Sequence, residues 1–149
     1  MSSGEMNSRL AGAQKLYVDA NVVIYFVEGD ETHQKMADAL FEYAEANGIA
    51  LITSEIAVGE CLYGAHKRER SDSVERFEVI FDEVGIFHLV PVEIDIVKRA
   101  AKIGAKHRIK LIDALHVVSA METGCDVFVT NDRGIKSTQD LKVVQLSEL

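Results

Sequence analysis

The sequence predicts an α/β domain built on a mainly parallel, five-stranded sheet flanked by helices. Two observations carry this. Short apolar runs rich in β-branched residues recur along the chain, and longer segments with 3.6-residue apolar periodicity lie between them. With 149 residues and 48% hydrophobic content, the chain can fill one core and is too short for two domains of ordinary size. The apolar runs are 16–19 (LYVD), 49–53 (IALIT), 86–90 (IFHLV), 126–130 (DVFVT) and 141–146 (LKVVQL). Each is bounded by polar or Gly positions, as a buried strand would be.

The helical segments follow in order. Over 31–46, Met36, Leu40, Tyr43 and Ala44 make an apolar stripe, and Gly48 stands where a C-cap belongs. Over 54–66, Ser54 is the expected N-cap, with Ile56, Glu60 and Tyr63 along one line and Gly64 near the end. Val74, Phe77, Ile80, Phe81 and Val84 predict a helix over 72–84. Two more are expected over 93–107 and 112–123, the second ended by Gly124. The chain's one proline, Pro91, follows the third strand. No repeat or low-complexity linker interrupts 15–149, which reads as a single domain.

Residues 1–14 (MSSGEMNSRLAGAQ) have no apolar run with a cationic flank and processing site, so they are expected to be a flexible polar tail rather than a signal peptide. No apolar stretch reaches the roughly 18 to 20 residues that a membrane span needs. Cys61 and Cys125 lie in apolar surroundings without a CxxC or His-rich neighbourhood. That pattern predicts buried free thiols in a reducing cytoplasm and argues against a disulfide framework or a zinc site.

The formal net charge of −8 argues against a protein that grips nucleic acid over its whole surface. The distribution is uneven, because Lys98, Arg99, Lys102, Lys106, His107, Arg108 and Lys110 form a basic block with no acid inside 98–110. Alone it is a solvated helix face. Beside an acidic active site it becomes a candidate for holding a phosphate backbone.

Several acids stand where a core does not welcome them. Asp19 ends the first strand and is followed by the apolar VVIYFV. It either caps a helix starting near Asn21 or points into a ligand site at the carboxyl end of the sheet. Asp132, in TND after the fourth strand, repeats the pattern, with an Asx turn towards Gly134 as the plain alternative. Asp113 stands near the start of the helix in LIDALHVVSA, where an acid also complements the helix dipole. Glu60 lies mid-helix among small and apolar neighbours in AVGECLYG. Cleaving a phosphodiester needs an activated water and neutralisation of charge on the phosphate, and carboxylate-held Mg²⁺ does both. Clustered carboxylates repel one another, so such a set predicts its own cation.

The segments YVDANVVIYF, SEIAVGECLYG and LIDALHVVSAMETGCDVFVTND resemble the PIN domain, including the toxin nucleases of the VapC type. Each motif is short, but their order and placement on strand, helix, helix and strand cover about 130 residues from Leu16 onward. The resemblance implies a Rossmann-like three-layer sandwich with Asp19, Glu60, Asp113 and Asp132 as both metal ligands and catalytic acids, Glu60 being favoured over Glu55. It implies Mg²⁺, with Mn²⁺ as a substitute, and Thr130 and Asn131 as secondary polar groups near the metal-bound water or phosphate. The activity implied is endoribonucleolytic, by metal-activated water. The implied partners are RNA, a small antitoxin protein and a second copy of the chain. This chain departs from many relatives in placing Arg133, Gly134 and Ile135 after TND, which removes a further carboxylate there. With an acidic site in view, Lys106, Arg108, Lys110 and Arg133 become RNA-binding candidates.

The remaining features add little. His116 shares a helix face with Asp113 but reads as a packing residue. No histidine spacing suggests a triad or zinc site, and no Gly-rich phosphate loop is present. Rival readings are a catalytically silent PIN-like binding module, disfavoured by the full set of acids, and an aspartyl phosphatase, disfavoured because no second Asp follows Asp19 in ANV.

Overall fold

The computed structural model describes residues 3–83, 85–138 and 140–149. Its sheet consists of β1 (Lys15–Val18), β2 (Ala50–Ser54), β3 (Phe87–Val90), β4 (Val127–Thr130) and β5 (Lys142–Gln145), in the order β3-β2-β1-β4-β5. Every pairing is parallel, and each expected apolar run carries its strand. The α/β expectation is met. β4 is buried throughout and β1 at all but Lys15, as an apolar strand covered on both faces must be.

Among the described residues, seven helices surround the sheet: α1 (Ser3–Leu10), α2 (Ala20–Glu28), α3 (Glu31–Ala46), α4 (Glu55–Lys67), α5 (Ser71–Asp82), α6 (Ile94–His107) and α7 (Leu111–Glu122). The period-2 alternation of the strands sorts them into two layers. Leu16, Val18, Leu51, Val127 and Val129 face one core with buried side chains of α1 to α5. Tyr17, Ile52 and Phe128 face the opposite core, made with α6 and α7. Gly48 and Gly124 close α3 and α7 with φ of +65° and +68°, a left-handed turn that glycine adopts without strain.

Three local expectations need correction or placement. Within 1–14, residues 3–10 are a helix and not a flexible tail, because Met6 and Leu10, one turn apart, are both buried in the core. Lys142 Nζ holds its C-terminal end by donating to the Arg9 carbonyl at 2.8 Å. Ser54 occupies the N-cap position of α4, yet its side chain makes no capping bond and instead accepts from the Tyr17 hydroxyl at 2.9 Å. Val84 lies outside the described residues. Both cysteines are buried and free, as expected.

Candidate metal centre

The site begins where β1 and β4, neighbours at the centre of the sheet, end together. Their register pairs Val18 with Val129, so Asp19 and Thr130 emerge side by side at the carboxyl edge. Asp19 is the N-cap of α2 and is 5% exposed. One oxygen, Oδ1, accepts from Ala20 N at 2.8 Å, and Oδ2 accepts from Thr130 Oγ at 2.7 Å and Asn21 Nδ2 at 3.3 Å. Asp19 thus caps α2, as one of its two expected roles requires, and its carboxylate is buried. Thr130 Oγ also accepts from Asp132 N at 3.0 Å, so one hydroxyl ties together the loops that carry two of the expected acids.

α4 and α7 bring in the next groups. His116 on α7 is 1% exposed, with Nε2 2.5 Å from Glu60 Oε1 and 3.6 Å from Asp19 Oδ1. Its Nδ1 lies 2.7 Å from the Tyr17 hydroxyl, which itself donates to Ser54 Oγ. An ionised carboxylate only accepts, so His116 Nε2–H donates to Glu60, while Nδ1 and the Tyr17 hydroxyl share the second hydrogen bond. Burial pushes the His116 pKa down, but the Glu60 hydrogen bond and the charges of Asp19, Glu60 and Asp113 outweigh it and hold it above the usual imidazole range. The histidine is therefore part of the site and not a packing residue. Its spacing from Asp113 was the visible sequence signal. Glu55, the rival of Glu60, is engaged elsewhere, accepting from Val92 N at 2.9 Å.

Among the described residues, Asp19, Glu60 and His116 offer ligand atoms that all lie within 4.8 Å of one another. Asp113 stands outside that tight group but within its field, and Asp132 in turn acts on Asp113. Burial raises the Asp113 pKa first, and the charges of Asp132 and Asp19 raise it further. Burial likewise raises that of Asp19, against the lowering effect of His116 and the Thr130 hydroxyl. Asp132 is exposed, and its Oδ1 accepts from Gly134 N at 2.8 Å, so the expected Asx turn is present. A cluster of oxygen donors that resist ionisation near one another fits a divalent cation, which would relieve both burial and repulsion.

The model of the family described as "PIN domain" matches residues 16–141. The chain belongs to the PIN-domain family. A curated relative, "Ribonuclease VapC1" of Aquifex aeolicus (strain VF5), is 24% identical over 138 residues, covering 91% of this chain and 93% of the relative. Among solved structures, VapBC2 from Rickettsia felis, bound to a DNA fragment from its promoter, superposes with a TM-score of 0.70 at 16% identity, covering 88% of this chain and 98% of that chain. VapC20 of Mycobacterium tuberculosis, a sarcin-ricin loop cleaving toxin, gives a TM-score of 0.63 at 17% identity, covering 76% and 86%. The PIN-domain family and the three-layer α/β fold are thus both established.

Around the acids, the PIN domain uses its polar residues unevenly. Asn131 faces away from them: its Nδ2 donates to the Tyr25 hydroxyl at 3.3 Å and its Oδ1 accepts from Ser147 N at 3.3 Å. Asn21 takes the inner position, donating to both Asp19 and Thr130. Arg133 is exposed and pairs with Glu148 at 3.1 Å. In the basic block, Arg99 pairs with Glu122, at the end of α7 remote from Asp113. Lys106 stands exposed in the last turn of α6, Arg108 caps it in the left-handed region with φ 56°, and Lys110 is the N-cap residue of α7. A cavity of about 380 Å³ joins this corner to the loop after Asp132, with Arg108 and Lys136 on its wall and Ile109, Val117 and Ile135 among its apolar lining. Lys136 escaped the sequence reading because it lies outside the basic block.

The raised groups set a pH dependence. For Asp19, Asp113 and His116 alike, the folded protein holds protons more tightly than the unfolded chain, so stability falls as pH rises through these titrations. The windows open at the ordinary carboxylate and imidazole values, about 4 and about 6.5. Metal-free protein should melt at a lower temperature near pH 8.5 than at about pH 5.5, and Mn²⁺ should narrow the difference. A melting temperature that climbs over this range in EDTA would contradict the assignment.

Proposed function

We propose that the chain is a Mg²⁺-dependent endoribonuclease, with Mn²⁺ as a competent substitute, acting as the toxin of a toxin and antitoxin pair. The observation that carries the reading is the convergence of buried Asp19 with Glu60 and His116 at the sheet's carboxyl edge, inside the electrostatic reach of Asp113, on which Asp132 acts in turn. The curated ribonuclease relative supports the substrate class. Asp19, Glu60, Asp113 and Asp132 would hold the ion, which when bound supplies charge neutralisation at the phosphate and a more acidic water.

The chain's own groups do the rest. Thr130, Asn21 and Ala20 N fix the Asp19 carboxylate, so its oxygens need no reorganisation when substrate arrives. Lys106, Arg108, Lys110, Lys136 and, released from Glu148, Arg133 would bind the RNA backbone on the side where α6 ends. Their charge makes binding salt-dependent. An antitoxin partner is supported by the Rickettsia felis neighbour, itself a VapBC2 complex. A homodimer is what the resemblance to the family implies.

The test is incubation of purified protein with a total RNA pool in Mg²⁺, in Mn²⁺ and in EDTA. Cleavage should appear with either ion and vanish in EDTA. RNA cut equally well in EDTA would overturn the metal-dependent reading, and intact RNA under all conditions would favour a binding module.

A further inference from the structure

We infer that His116 is a positioning residue that holds the Glu60 carboxylate at the metal centre, and that Tyr17 and Ser54 orient its ring for that purpose; the inference rests on the metal-site reading above. Among the described residues, Glu60 is the one acid of the tight group that nothing else anchors. It projects from the middle of α4 with its side chain 40% exposed, and its partners are His116 Nε2 for hydrogen bonding and its acidic neighbours for repulsion. A glutamate has three side-chain torsions, and fixing them costs about 1.5 to 2 kcal/mol of rotamer entropy. Left unheld, this carboxylate would spread into solvent, away from Asp19, whose negative charge repels it.

The holding group is itself rigid. His116 is buried on the central helix α7, and its ring meets Tyr17 edge-on with centroids 5.8 Å apart. Tyr17, wholly buried in β1, is stacked on Phe128 of β4 at 5.0 Å. The line Ser54, Tyr17, His116, Glu60 therefore runs from two central strands through α7 to the rim of the site. A ligating carboxylate oriented by a fixed donor is the usual second partner of a metal site, and removing such a donor typically lowers metal affinity about 10- to 100-fold.

The experiment measures Mn²⁺ binding to the full chain by calorimetry, with thermal unfolding of each variant as a fold control. His116→Leu keeps the bulk and removes the donor, and should weaken binding about ten-fold. His116→Gln places an amide N–H where Nε2 stood and should recover most of that loss. The decisive reading is a double-mutant cycle: in a Glu60→Gln background, His116→Leu should cost nothing further, because the group it positions has lost its charge. Three outcomes overturn the inference while leaving the metal site standing: full additivity of the two substitutions, no recovery by His116→Gln, or unchanged binding in His116→Leu. If Asp19→Asn and Glu60→Gln also bind Mn²⁺ like the wild type, the metal-site reading itself fails.

Discussion

Asp19→Asn is expected to lower the rate of RNA cleavage by at least about 100-fold while leaving the fold intact, a loss typical of removing one preorganised electrostatic group from a reaction centre. Asparagine is isosteric and caps a helix as well as aspartate does, so α2 keeps its start and Ala20 N keeps an oxygen to donate to. What disappears is the charge. Asp19 is the most buried of the four acids and the one fixed by three donors, so its loss cannot be made good by a neighbouring side chain moving in. Asp113, less buried and in the first turn of α7, should cost less when made Asn. In EDTA the Asp19→Asn protein should melt no lower than the wild type, because a neutral amide is easier to bury than a carboxylate whose pKa burial has already raised. Single-turnover cleavage of a labelled RNA, with thermal melts alongside, checks both halves. A variant that keeps more than about a tenth of wild-type activity would remove Asp19 from the reaction centre.

The second large effect falls on stability. Phe128→Ala should cost about 3 to 5 kcal/mol and lower the melting temperature by roughly 10 to 15 °C for a chain of this length. Phe128 is fully buried in the middle of β4 and belongs to the core under α6 and α7. Its truncation opens a cavity beneath Tyr17, which stacks on it, in an interior held between the sheet and two helices that cannot readily close over the space. Because Tyr17 orients His116, the same substitution should also weaken Mn²⁺ binding in the protein that remains folded. Urea unfolding at fixed pH measures the first effect. A loss below about 1.5 kcal/mol would mean that the sheet and α7 collapse into the gap.

The strands were legible because a sheet covered on both faces needs unbroken apolar runs, and runs of that length and composition suit a buried strand better than any other element. Helix α1 was not, since Met6 and Leu10 are too few to stand out from polar neighbours, and only the surface that receives them shows their use. The acids were legible as a set through position, while their partners were not. Ser54 had a local reading as a cap, and a tertiary hydrogen bond from Tyr17, 37 residues away in the chain, displaced it. His116 looked like packing because the atoms that it serves come from α4 and β1, which no spacing within α7 reveals. Asn131 was obscure for the same reason, as its amide meets Tyr25 and Ser147 rather than the acids.

The pairing of β1 with β4 has a consequence for how the molecule is made. Asp19 leaves the ribosome early, but the Thr130 hydroxyl that clasps it is 111 residues downstream. A chain emerging at about 5 to 20 residues per second carries its first acid for several seconds before the strand that completes the site exists. Local helices can form in that interval, whereas the central strand pair, with its long loop to close, forms late. A nascent chain therefore lacks the assembled Asp19–Thr130 pair until β4 has been made and has docked beside β1.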